Sequence, residues 1–360
     1  MTSPRAVLLL EDGTRFDGLP FGARGEAVGE AVFYTGVVGY QEVLTSPSYR
    51  GTLVALTYPI IGSYGVNGED NESSRVQAGG VIVRDYSAHY SNFRATGALE
   101  PLLAEQGVVG IRGVDTRALA VHLREHGEQR GIIASGDDLD GDRLLGKLKA
   151  AASPFEGDLL AGLEAASAPA APMQAVAKAV VLDLGVARSD LAHLSAAGAA
   201  VEIAPASAGA AGILAREPAG VIVAGGPGDP RVASHAVAAV RELIGKVPVL
   251  GIGLGHQVVA LALGCSIKRL TAGHHGLNQP VRNVATGECA ITVQHHSFAV
   301  DGETLPDGVE VTHVNLNDGS VEGIRSKDGA AAGVQFHPIR DEMGQPNKLL
   351  AGFMQDLAHA

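Results

Sequence analysis

Pro248-Val249-Leu250-Gly251-Ile252-Gly253-Leu254-Gly255-His256-Gln257 runs from an apolar strand through a tight turn into a helix. Its reading decides the fold of the C-terminal half. Glycines stand two residues before and two after position 253, the spacing of a nucleophile elbow, where small flanking residues relieve the crowding of a strained strand-to-helix turn. Position 253 is itself glycine, so the elbow carries no nucleophile. The rival reading is a dinucleotide fingerprint, but Gly251-x-Gly253 would need its third glycine at 256, where His256 stands.

Outward from this turn, short β runs alternate with helical patterns. Val180–Asp183, Val201–Ala204, Val221–Ala224 and Val247–Gly251 read as strands. Ser189–Ala197, Ala208–Arg216, Ser234–Ile244 and Gln257–Leu263 read as helices. That alternation predicts βαβ units and a mainly parallel sheet flanked by helices. Ligands of such sheets bind at the carboxyl ends of the strands. One such end is Gly225-Gly226-Pro227-Gly228-Asp229-Pro230, which is either an anion-binding nest of backbone N–H groups or a tight turn whose glycines supply positive φ. Another is Gly333-Val334-Gln335-Phe336-His337-Pro338-Ile339-Arg340, where His337 follows a β run and is either a hydrogen-bonded structural histidine or a general base.

The N-terminal half is α/β with a substantial β component. Ala6–Leu10 leads into the turn Glu11-Asp12-Gly13-Thr14, a hairpin signal. Further β runs are Gly29–Tyr34, Thr52–Thr57 and Ala78–Val83, followed by helical patterns at Ala98–Gln106 and at Thr116–Glu125, the latter with Asp115 as N-cap. The Ala/Pro-rich stretch from Glu164 to Val176 reads as a linker, giving domains 1–163 and 177–360.

Charged residues are 18% and apolar residues 46% of the 360, which supports a sizeable core and excludes wholesale disorder. A formal net charge of −12 argues against a nucleic-acid binder. No apolar run reaches membrane-spanning length, and the short apolar stretch after Met1 meets acid at once, unlike a signal peptide. Two cysteines make no disulfide framework. The expectation is a cytoplasmic globular protein. The pairs His274-His275 and His295-His296 make poor chelates, because neighbours in extended chain point to opposite faces, so no metal is expected. Cys265, after an apolar helix, reads as a buried inert thiol.

Over essentially its whole length the chain resembles the small, glutamine-amidotransferase subunits of carbamoyl-phosphate synthetases. In the N-terminal half the resemblance rests on Leu10-Glu11-Asp12-Gly13-Thr14, Gly39-Tyr40-Gln41-Glu42-Val43-Leu44-Thr45, Leu56-Thr57-Tyr58-Pro59-Ile60-Ile61-Gly62, Gly65-Val66-Asn67 and Gly113-Val114-Asp115-Thr116-Arg117. In the C-terminal half it rests on Gly226-Pro227-Gly228-Asp229-Pro230, Leu254-Gly255-His256-Gln257, Gly273-His274-His275-Gly276 and Val311-Thr312-His313-Val314-Asn315-Leu316-Asn317-Asp318-Gly319. It implies an N-terminal domain that contacts a large synthetase subunit, and a C-terminal class I glutaminase in which a cysteine attacks the glutamine amide, a histidine relays protons and a glutamate orients the histidine. The large subunit would hold ATP and Mg and make carbamoyl phosphate for arginine and pyrimidine synthesis; no cofactor is implied in this chain.

Carried over by position, the oxyanion donors are the N–H groups of Gly226 and Leu254, and the catalytic histidine is His337. Glutamine would be held at Ser48, Gly226, Gly228, Leu254, Gln257, His295, Ser297 and Phe298. The departures cluster in one pocket. Gly253 replaces the cysteine, Ile339 the glutamate and Gly225 an asparagine; His295 and Ser297 replace an asparagine and a glycine. Gly185-Val186-Ala187-Arg188-Ser189 departs from the family's Gly-x-Lys-x-Asn. The implied glutaminase is therefore lost, glutamine binding is no longer implied, and the expected complex uses free ammonia. Without a carboxylate at 339, His337 is expected to lack an orienting partner, so Gly253→Cys alone is expected not to restore hydrolysis. The alternative is a stand-alone pseudo-glutaminase that binds another ligand in a remodelled pocket. A displaced nucleophile is a third reading, but Cys265 lies twelve residues past Gly253, at the far end of a helix rising ~1.5 Å per residue.

Overall fold

The computed structural model describes residues 5–339 and 344–359; Met1 and Arg340 lie outside the described residues. The chain divides into two compact units. One comprises the residues up to Leu159 together with Thr271–His275, and the other Leu160–Leu270 together with Gly276 onward.

The first unit is built on a closed barrel. Its strands are β1 (Ala6–Leu10), β2 (Arg15–Gly22), β3 (Glu26–Tyr34), β4 (Thr52–Ile61), β5 (Gly80–Tyr86), β6 (Val109–Arg112) and β7 (Gln129–Ser135), in the order β1-β2-β6-β5-β4-β3-β7. Antiparallel pairing of β1 with β7 closes the ring, which removes unpaired edges. The Glu11–Thr14 turn does form a hairpin, with Leu9 opposite Arg15. Period-two alternation in β1 divides its side chains. Leu8 and Leu10 pack with Leu53, Ile82, Ile111 and Ile133, while Val7 and Leu9 pack on the other face against Leu144 and Leu148. The helices are α1 (Tyr40–Thr45), α2 (Leu99–Glu105), α3 (Thr116–His126) and α4 (Gly141–Ala150). Asp115 caps α3, accepting from the Ala118 N–H at 3.0 Å, and Leu119 and Leu123 of α3 join the barrel's core cluster.

Thr271–His275 is held in this unit by Glu128, whose N–H donates to the Thr271 carbonyl at 2.9 Å and whose buried carboxylate accepts from the Gly273 N–H at 2.8 Å.

The second unit holds a nine-stranded sheet. Its elements are β8 (Ala177–Asp183), α5 (Arg188–Ala196), β9 (Ala199–Pro205), α6 (Ala210–Leu214), β10 (Gly220–Ala224), α7 (Ser234–Leu243), β11 (Val249–Ile252) and α8 (Leu254–Ala262). These are followed by β12 (Ile267–Asn283), β13 (Cys289–Val300), β14 (Val309–Asn315), β15 (Val321–Ser326), β16 (Ala331–Val334) and α9 (Lys348–His359). The strands β9-β8-β10-β11-β16 are parallel, as the alternation predicts. Beyond β16 the sheet continues through β15 and β14 to β12 with antiparallel pairing, an extension the alternation does not announce. Apolar clusters cover both faces of the parallel part: Val221 and Val223 pack with α7 and α8, and Ile222 and Ala224 with α5 and α9.

The stretch 164–176 belongs to this second unit. The Ala166 N–H donates to Asp183 Oδ2 at 2.9 Å, and the Val176 N–H donates to the Gly198 carbonyl at 2.8 Å.

Candidate functional site

Register aligns the carboxyl ends of the parallel strands. Asp183 of β8 lies opposite Ala224 of β10, Ala224 opposite Ile252 of β11, and Ile252 opposite Val334 of β16. The segments that follow these residues therefore meet at one end of the sheet, where parallel sheets bind ligands.

The turn after β11 has the geometry of an elbow. Gly253 takes φ 61°, ψ −122° as the N-cap of α8, and its N–H donates to the Val334 carbonyl at 3.0 Å. A Cβ built on Gly253 would meet a single heavy atom within contact range, Cε1 of His337 at 4.0 Å. Its neighbours differ. A Cβ on Gly251 would lie 2.6 Å from the Gly255 carbonyl oxygen, and one on Gly255 would collide with the Val223 carbonyl of β10. The flanking glycines are thus demanded by packing, and the central one is not.

Gly226 and Leu254, whose amides are expected to form an oxyanion pocket, are neighbours in space. A Cβ on Gly226 (φ 116°) would collide with the Leu254 side chain and stand 2.7 Å from the Leu184 carbonyl oxygen. Among the described residues neither the Gly226 nor the Leu254 N–H donates a hydrogen bond. Two unengaged N–H groups beside a helix N-terminus suit a developing negative charge.

His337 follows β16 and is buried, with its N–H donating to the Val293 carbonyl of β13 at 2.9 Å. Its ring lies 5.0 Å from that of His295, centroid to centroid. The structure corrects one expectation here. Ile339 is exposed and offers His337 no side-chain acceptor, yet His337 has a carboxylate partner: Nδ1 stands 3.0 and 3.1 Å from the two oxygens of Asp190. Asp190 sits in the first turn of α5, is 3% exposed, and comes from 147 residues away. What places it is Asp183, at the end of β8. One Asp183 oxygen accepts the N–H groups of Gly185 and Val186, each at 2.9 Å, and so fixes the loop into α5. Nothing local marks Asp190, since an acid in the first turn of a helix is commonplace.

The other expected ligand positions divide. Gln257, Phe298, His295 and Ser297 lie in the second unit with Gly226, Gly228 and Leu254; Ser48 lies in the first, on the short turn Pro47–Tyr49. The Gln257 amide nitrogen donates to the Phe298 carbonyl at 2.6 Å and to Gln335 Oε1 at 2.8 Å, tying α8 to β13. The adjacent histidines of β13 face opposite ways, as strand geometry requires: His295 faces His337, whereas His296 bonds the Phe298 carbonyl at 2.7 Å and Gln294 Oε1 at 3.0 Å. Burial pushes the Cys265 thiol up to about 11, so at neutral pH it is protonated and is no replacement for a nucleophile at 253. Burial likewise holds the His256 imidazole down at about 3, so it stays neutral within α8.

A parallel sheet with a glycine-flanked elbow and a buried histidine after the next strand defines the class: residues 180–354 match the family described as glutamine amidotransferase class-I. Residues 8–133 match the carbamoyl-phosphate synthase small chain, CPSase domain. The relatives agree along almost the whole length. The carbamoyl phosphate synthase small chain of Rhodopirellula baltica is 43% identical, covering 94% of this chain and 92% of its own. That of Syntrophotalea carbinolica is 43% identical over 93% and 92%, and that of Vibrio cholerae 41% over 93% of each. The chain belongs to the carbamoyl phosphate synthase small chain family.

Among the described residues no helix is long and apolar enough to cross a membrane.

Proposed function

We propose that this chain is the small subunit of an ammonia-dependent carbamoyl phosphate synthase, with its own glutaminase lost. The observation that carries the reading is the elbow at Gly253. The backbone keeps the strained turn that presents a nucleophile, space for a side chain is open, and no side chain is there. Covalent attack on a glutamine amide needs that atom. His295, whose ring lies beside that of His337, and Ser297 change the surface on which a glutamine side chain would rest. ATP and Mg belong to the large subunit in this reading, and the complex works in the cytoplasm.

The barrel unit supports the expected partnership. A cleft of about 520 Å3 has Phe33, Pro59 and Val121 in its wall and Arg84, Arg117 and Arg124 around it. Arg117, Val121 and Arg124 share one face of α3 by helical spacing. All three arginines are exposed, and among the described residues none makes an ion pair. In a chain of net charge −12, this basic rim on an apolar floor suits an acidic segment of the large subunit with an apolar anchor.

The test is reconstitution with a large synthetase subunit, measuring carbamoyl phosphate formed from ammonium and from glutamine. Ammonium supports turnover and glutamine does not. Glutamine-driven turnover at a comparable rate would overturn the loss of the glutaminase. Failure of the two chains to co-elute would favour the stand-alone reading.

A further inference from the structure

We infer that Asp190 has taken over the positioning of His337, so that the proton relay of the amidotransferase site survives in this chain although its nucleophile does not. The inference rests on reading the pocket as a family site.

The geometry is that of an orienting carboxylate. Both Asp190 oxygens lie at hydrogen-bonding distance from one ring nitrogen, Nδ1, at 3.0 and 3.1 Å. Both residues are buried, where a charge-assisted bond is little screened. The carboxylate stands in the first turn of α5, where a negative charge interacts favourably with the helix N-terminus. An ionised carboxylate only accepts, so the proton between them belongs to Nδ1, and Nε2 of neutral His337 is then the basic nitrogen. The main-chain bond from His337 to Val293 fixes the residue from another side, and the His295 ring lies beside the imidazole. His337 is therefore held at its backbone, at Nδ1 and along its ring. A Cβ on Gly253 would lie 4.0 Å from the Cε1 atom, which is bonded to both ring nitrogens.

A thiol placed at position 253 would then be activated without any change at 339. Its proton passes to Nε2, leaving a thiolate beside an imidazolium whose Nδ1–H stays on Asp190. Iodoacetamide reports this directly: sulfur attacks the methylene carbon, a C–S bond forms, and iodide leaves with the C–I electron pair.

The experiment uses the full chain with Cys289, an exposed thiol, changed to Ser; Cys265 is buried. Alkylation of Gly253→Cys is followed from pH 5 to 10, alone and combined with Asp190→Asn, Asp190→Ala or Asp190→Glu. The expected result is a reactive thiol whose half-reactivity lies below the ~8.5 of free cysteine. Asp190→Asn or Asp190→Ala should slow alkylation at pH 6.5 by about tenfold or more and return the profile toward that of a free thiol. Asp190→Glu should recover part of the rate. A free-thiol profile in Gly253→Cys, or a profile unmoved by Asp190→Asn, overturns the inference.

Should the double variants not fold, nitrogen-15 spectra of the histidines in the unaltered protein decide instead. His337 is expected with its proton on Nδ1, and a proton on Nε2 of the neutral ring overturns the proposal. Neither readout depends on glutamine or on a partner, so the loss of the glutaminase can fail while this inference stands, and the reverse.

Discussion

Two glycines at the start of α8, Gly253 and Gly255, have opposite causes. Gly255 is glycine because α8 lies so close to β10 that a Cβ would run into the Val223 carbonyl. Gly253 has room for a Cβ, touching only Cε1 of His337 at 4.0 Å, in the strained strand-to-helix turn of an elbow. The first glycine is architecture and the second is a vacancy in chemistry. The same contrast separates Asp190, buried on His337, from Ile339, exposed at the position where the resemblance places a glutamate. Under the proposed loss of the glutaminase, retained structure and an absent side chain sit within one pocket, and an absent motif residue need not mean that the surrounding machinery has dissolved.

The comparison can be broken most sharply at Gly255. Gly255→Ala forces α8 away from β10 and should cost about 4 kcal/mol or more, abolishing soluble expression or lowering the urea midpoint drastically. An alanine tolerated there would mean that α8 and β10 are less closely packed than described. Next in size, Asp190→Ala leaves His337 buried without its carboxylate and should cost about 2–3 kcal/mol. Ile339→Ala, at an exposed position, should stay within ~0.5 kcal/mol. Equal losses in denaturant titrations would remove the distinction between the two sites.

A pH effect of similar size comes from His256, next to Gly255. Its folded pKa of about 3 lies below the unfolded value of ~6.5. The unfolded chain therefore takes up a proton first as pH falls. The contribution to stability is complete above ~6.5 and is lost progressively toward 3, reaching about 2 kcal/mol by pH 5. Denaturation of the native protein and of His256→Gln at pH 7 and pH 5 measures this, with the smaller acid loss expected in the variant. A smaller effect than at Gly255 should come from Gly253→Ala. Space is available, and only the backbone conformation resists, at about 1–2 kcal/mol. A cost matching that of Gly255→Ala would mean that Gly253 too is glycine for packing.

Local physics made much of this readable in the residues alone. The β11-to-α8 turn, the strand–helix alternation from Val180 to Leu263, the Asp12-Gly13 hairpin and the Asp115 cap each depend on neighbours a few residues apart, and each appears in the structure close to where it was expected. The missing side chain at 253 is visible in the sequence itself. Barrel closure was not readable, because β1 meets β7 across more than a hundred residues and its alternating pattern would serve an open sheet equally well. The antiparallel continuation through β12, β14 and β15 is likewise settled by register between distant strands. Asp190 is the extreme case. As an acid in a helical first turn it carries no signature, and it becomes the partner of His337 only because β8, β11 and β16 end at the same level and Asp183 folds the intervening loop back. Residue type and local spacing determined which groups this chain has and lacks. Tertiary structure alone decided which of them meet, since hydrogen bonds and close packing act over a few ångströms of space, however far apart their partners lie along the chain.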